Sequence, residues 1–103
     1  MKVDLERFGF RKGFSYEDRF DLKTRVGNYE VSTVDLGINH QFIEGLPPLY
    51  YETIIFKVIN EKVNYEDLYC DRYTTEEEAK IGHERAINYV KEKLERNENL
   101  WIM

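Results

Sequence analysis

The sequence predicts an α+β domain: a four-stranded, mainly antiparallel sheet with one C-terminal helix packed on one face. Three observations predict it. Gly27-Asn28 lies between two segments suited to strands, residues 49–59 (LYYETIIFKVI) are aromatic and β-branched on both faces, and Thr75 opens a stretch with apolar residues at helical spacing.

An N-terminal arm occupies residues 1–20. Its Phe8, Phe10, Phe14 and Phe20 are expected to pack onto the sheet while Arg7, Arg11, Lys12 and Arg19 face water, with Gly9 and Gly13 at turns. Arg11 and the run Lys12-Gly13-Phe14-Ser15-Tyr16 imitate the start of an RNA-recognition strand, whose aromatics stack on bases. The imitation then fails: Glu17 stands at an apolar position, Arg19 at an aromatic one, and no partner strand motif follows.

The sheet occupies residues 21–73. Residues 21–26 and 29–38 form a hairpin about Gly27-Asn28, a dipeptide that tolerates positive φ. Gly45, Pro47 and Pro48 make residues 39–48 a loop, long enough to permit either a meander or a crossover. Residues 49–59 form the third strand, 60–64 a polar loop, and 66–73 a fourth strand returning antiparallel. The helix covers residues 75–96: the Thr75 hydroxyl caps a free amide, Glu78 can reach back, and Glu76, Glu77 and Glu78 suit the positive end of the dipole. Its core-facing stripe is Ala79, His83, Ala86, Ile87, Val90 and Leu94, and Ala79, Gly82 and Ala86 are small enough to let the axis approach the sheet. The tail, residues 97–103, ends in the apolar Leu100-Trp101-Ile102-Met103, expected to dock on its own domain or on another chain.

Composition bounds the function. The 103 residues are 42% hydrophobic and 34% charged, which suits one core and excludes disorder. A net charge of -5 disfavours general adhesion to nucleic acid or anionic lipid. The charged start and the lack of any long apolar run predict no secretory signal and no membrane span, and the single cysteine, Cys70, suits a reducing cytoplasm. Cys70, in phase with Leu68, is expected to be buried and inert.

Candidate chemistry centres on two histidines. His83 lies in the apolar stripe, so its imidazole needs a partner. Alternation along the third strand puts Tyr50, Glu52, Ile54, Phe56 and Val58 on one face, and burial of that face against the helix would pair Glu52 with His83. Such a pair raises the histidine's pKa and serves acid–base catalysis or an ordinary buried contact alike, the structural role being the commoner. Asp35, His40 and Glu44 run into the Pro-rich loop, and with Glu52 and His83 they would make a carboxylate–histidine metal site, although no H-E-x-x-H spacing occurs. No phosphate loop, nucleophile elbow or paired-cysteine signature occurs, and no cofactor or metal is expected.

The stretches Val31-Ser32-Thr33-Val34-Asp35-Leu36-Gly37, Pro47-Pro48-Leu49-Tyr50-Tyr51-Glu52-Thr53 and Thr75-Glu76-Glu77-Glu78-Ala79 with Gly82-His83 resemble small uncharacterised proteins encoded by bacteriophages and prophages. The resemblance implies an origin and a host-cytoplasm setting; it carries no activity. Together these readings predict a non-enzymatic module that binds a host or phage protein. Tyr51, Tyr69 and Tyr73 on an outward sheet face and Trp101 in the tail are its contact residues, and homodimerisation is a second arrangement. One alternative is a small enzyme or metal-binding domain using Asp35, His40, Glu52 and His83. Another is an acidic mimic of nucleic acid built from Glu61, Glu66, Asp67, Asp71, Glu76, Glu77 and Glu78.

Overall fold

A computed structural model describes residues 4–96, with the backbone alone described at 64–68. The fold is α+β: a four-stranded antiparallel sheet in the order β1-β2-β3-β4, so the chain meanders, with one helix, α1, packed on one face. The strands are β1 (Asp21–Val26), β2 (Tyr29–Asp35), β3 (Tyr51–Ile59) and β4 (Lys62–Tyr73), and α1 is Glu76–Glu95. A short 3-10 helix, Leu5–Phe8, opens the described chain.

Local chemistry sets the boundaries. Gly27 takes φ 57° in the β1–β2 turn. The β3–β4 turn is tighter than the polar loop expected at 60–64: Ile59 pairs with Lys62, and Asn60 and Glu61 alone bridge them at φ 50° and 65°. Register shifts on either side of Phe56 then absorb extra residues of the longer β4. β2 stops at Asp35, short of the expected 38, because the carboxylate bends the chain by accepting from the Gly37 amide at 2.9 Å. In α1 the Thr75 hydroxyl accepts from Glu78 N at 3.1 Å and donates to Glu78 Oε1 at 3.1 Å, the reciprocal cap the sequence predicts.

The core lies between α1 and the face bearing Tyr29 and Val31 of β2 and Ile55 of β3, closed by Ala86, Ile87 and Val90. Val26, Tyr69 and Tyr89 pack around it. This inverts the expected orientation of β3. Tyr51, Thr53 and Ile55, with their β4 partners Tyr73, Asp71 and Tyr69, share the helix side, while Glu52 and Ile54 lie opposite with Arg72 and Cys70. Both faces of β3 are apolar, so alternation alone did not select one. Gly82 accommodates the observed orientation: Tyr73 passes beneath the helix so closely that a Cβ on Gly82 would collide with its hydroxyl and ring.

The arm also differs from expectation. Phe10 and Phe14 stack with centroids 5.2 Å apart, and Tyr16 packs edgewise on both, but Phe8 is exposed. Arg11, expected in water, instead crosses to the sheet: its Nη1 and Nη2 donate to Asp35 Oδ1 at 3.1 Å and Oδ2 at 2.5 Å, and its guanidinium lies 4.8 Å from the Tyr50 ring centroid. Gly37 lets this happen, since at φ 73° its carbonyl accepts from Arg11 N and the rings of Phe10 and Phe14 fill the place of a side chain.

Candidate functional site

His83 is buried, at 3% exposure, but its partner is not Glu52. Its Nδ1 is hydrogen-bonded with Thr33 Oγ1 at 2.7 Å and its Nε2 with Thr24 Oγ1 at 2.9 Å, and Thr33 Oγ1 continues to Thr53 Oγ1 at 2.5 Å. Hydroxyls donate or accept, so they satisfy a neutral imidazole in either tautomer. Burial pushes the His83 pKa down, against a smaller opposing pull from Glu84, the reverse of what a carboxylate partner would do. Tyr73 extends the row to β4. Its hydroxyl is buried and turned toward Thr53 but makes no hydrogen bond of ordinary geometry, and burial, chiefly, raises its pKa to about 12.

The other predicted residues are dispersed. Glu52 lies on the far face, where Oε2 accepts from Arg72 Nε at 2.9 Å, and the thiol of Cys70, exposed and not buried as expected, stands 3.6 Å from the same oxygen. Asp35 is buried and committed to Arg11 and Gly37. His40 Nδ1 donates to the Ile38 carbonyl at 2.8 Å. The Asp35–His40–Glu44–Glu52–His83 constellation therefore does not assemble, and among the described residues no group of three or more His, Cys, Asp or Glu side chains is placed to hold an ion. Tyr73 and Tyr69 are corrected from outward contacts to residues packed under the helix, and Tyr51 is half-buried against Phe20. Trp101 and the tail lie outside the described residues, as do the Glu66 and Asp67 side chains of the acidic set. Glu76 of that set pairs with Lys80 at 3.5 Å. Beside Asp35 a cleft of about 240 Å³ opens between the arm and the sheet, lined by Arg11, Arg19, Phe20, Tyr51 and Glu76 among others. Its charges are mixed, and Arg11 is already neutralised.

The feature that sequence reading missed is the loop of residues 39–48. Asn39 Oδ1 accepts from Gln41 N at 2.8 Å and Leu49 N at 2.9 Å; Gln41 Oε1 accepts from Ile43 N at 3.1 Å. The His40 amide donates to the Leu49 carbonyl at 2.8 Å, closing the base. The Asn39, His40 and Gln41 side chains are thus spent on the loop's own backbone and its base. The apolar ones point out: Phe42 is 87% exposed, Ile43 63% and Leu46 50%. The signal was in the sequence, as amides at 39 and 41 followed by large hydrophobes at 42, 43 and 46 in a segment too rich in Gly and Pro to enter the core.

No family model, curated protein or solved structure matches the chain. Among the described residues no helix is long and apolar enough to cross a membrane.

Proposed function

We propose that the chain is a non-enzymatic protein-binding module whose contact element is the loop of residues 39–48. The inverted loop carries this reading: three large apolar side chains stand in water on a backbone fixed by Asn39 and Gln41. Exposed apolar groups grouped on one element gain free energy when a partner covers them, and a pre-ordered backbone lowers the entropic cost of that step. His83 supports the non-catalytic side of the reading. A general base must reach substrate, and both of its ring nitrogens are engaged beneath α1. A phage-derived protein in host cytoplasm, the setting the sequence resemblance implies, would meet such a partner there.

The test is site-specific photo-crosslinking of the full chain in cells that naturally carry it. Phe42→benzoylphenylalanine is compared with Ile81→benzoylphenylalanine, since Ile81 is 60% exposed on α1. Position 42 should give a discrete protein adduct that position 81 does not, and Asn39→Ala, which leaves the hydrophobes but removes two loop bonds, should weaken it. Equal adducts at both positions, or none at 42, would reject the reading.

A further inference from the structure

The loop of residues 39–48 closes on itself at a neck, where His40 N donates to the Leu49 carbonyl at 2.8 Å and Asn39 Oδ1 accepts from Leu49 N at 2.9 Å. These bonds fix the shape of the loop. They do not fix the direction in which it leaves the sheet. Pairing of β2 with β3 ends at Asp35 and Tyr51, so residues 36–38 on one leg and Tyr50 on the other form a short stem between sheet and neck. The returning leg is tied to β4, since Tyr50 N donates to the Tyr73 carbonyl at 3.1 Å. The outgoing leg bends at Gly37, at φ 73°, and the Leu36 amide ties it to the Tyr50 carbonyl at 2.7 Å. Few backbone torsions separate the sheet from the neck, and torsions of that kind serve as hinges unless something outside the stem holds them.

The N-terminal arm supplies that hold. On the outgoing leg Arg11 N donates to the Gly37 carbonyl at 2.6 Å, and the rings of Phe10 and Phe14 lie where a side chain on Gly37 would be. On the returning leg the Arg11 guanidinium lies 4.8 Å from the Tyr50 ring centroid. The same guanidinium forks onto Asp35, the last residue of β2, which roots it in the sheet. One residue therefore touches both legs and the strand from which the first departs. The grip is separate from the main core: Phe14 is buried, yet among the described residues the cluster beneath α1 draws on none of the arm.

We infer that Arg11 is a positioning residue for the loop: through it the arm straps both legs of the stem and holds the loop in the attitude that presents Phe42, Ile43 and Leu46. A strapped stem narrows the orientations the loop samples, and orientational freedom that is already lost is not lost again on contact. The effect on contact rests on the binding role proposed above; the strap is a property of the fold alone.

Two measurements on the full chain test this. The first is residue-resolved hydrogen exchange in Arg11→Lys and in the double variant Arg11→Met with Asp35→Asn, which removes the fork without leaving a buried carboxylate unpaired. The reference is the Val58 amide, which donates to the Asn28 carbonyl at the other end of the sheet. Relative to Val58, the amides of Leu36, His40 and Leu49 should exchange about tenfold faster in the double variant, the effect of losing one charge-assisted hydrogen bond from a local opening. Arg11→Lys should fall between the double variant and the wild type. Val90→Ala, a cavity in the core beneath α1, should not raise that ratio. A ratio unchanged in the double variant, or raised as much by Val90→Ala, overturns the inference. The second measurement is the yield of the position-42 adduct per molecule of chain, which should fall in the double variant, less in Arg11→Lys, and not in Val90→Ala. A yield that the double variant leaves undiminished also overturns it, with the binding role intact. If the wild type gives no adduct at position 42, the binding role falls, and the exchange ratios still decide whether Arg11 holds the loop.

Discussion

Replacing Gly82 by alanine sets two physical effects against each other in one helix position. On helix propensity alone Gly82→Ala should stabilise the protein by about 1 kcal/mol, since glycine in a helix interior loses more backbone entropy. The packing reverses the sign. The new methyl would occupy the same space as the Tyr73 hydroxyl and the end of its ring, and Tyr73 is buried at 6% exposure. Relief requires α1 to lift or the ring to leave its rotamer, and a lifted helix would lengthen the His83–Thr33 and His83–Thr24 bonds. Overpacking of this kind costs about 3 kcal/mol at the upper end of its usual range, so a net loss of about 2 kcal/mol is expected. For a chain of this length that lowers Tm by roughly 10 °C. Urea unfolding followed by circular dichroism reads the change as a lower midpoint at unchanged slope. In a Tyr73→Ala background the collision is gone, and Gly82→Ala should there stabilise. A higher midpoint for Gly82→Ala in the wild-type background, or the same effect in both backgrounds, would refute the reasoning.

Three further outcomes follow from the same contacts. Because burial lowers the His83 pKa, the unfolded chain takes up this proton first: the stabilisation is complete above about pH 6.5 and is lost as pH falls from there through the folded pKa. Urea midpoints between pH 7.5 and 5 should fall more steeply for the wild type than for His83→Asn. Tyr73 gives the opposite limb, with its folded pKa of about 12 above the ordinary 10, so its contribution persists below pH 10 and is lost as pH rises from 10 toward 12. Tyr73→Phe, which removes a buried hydroxyl without a partner, should cost less than about 1 kcal/mol at pH 7 and flatten that alkaline loss, as thermal unfolding against pH would read. Arg11→Lys keeps the charge beside Asp35 but forfeits the bidentate fork and the stack on Tyr50, so about 1 kcal/mol should be lost. Hydrogen exchange should quicken first at the amides of Arg11 and Phe14.

The sequence by itself determined the element types and most boundaries, because those depend on local chemistry. Gly27 supplies a turn, Thr75 and Glu78 close a cap three residues apart, and the stripe from Ala79 to Val90 repeats with the helical period. It also marked His83 as buried and in need of a partner. Which partner was a tertiary matter. A strand with hydrophobes on both faces is indifferent to a half-turn about its axis, and the orientation adopted is one in which Tyr73 fits beneath Gly82, residues on different elements. In that orientation Thr53 and Thr33 lie under the imidazole and Glu52 meets Arg72 on the far side. The same holds for Arg11, drawn from the arm to Asp35 across 24 residues of sequence, and for the loop at 39–48. Composition announces that this loop is irregular, but only the closing of Asn39 onto Leu49 decides that its amides turn inward and leave Phe42, Ile43 and Leu46 in water.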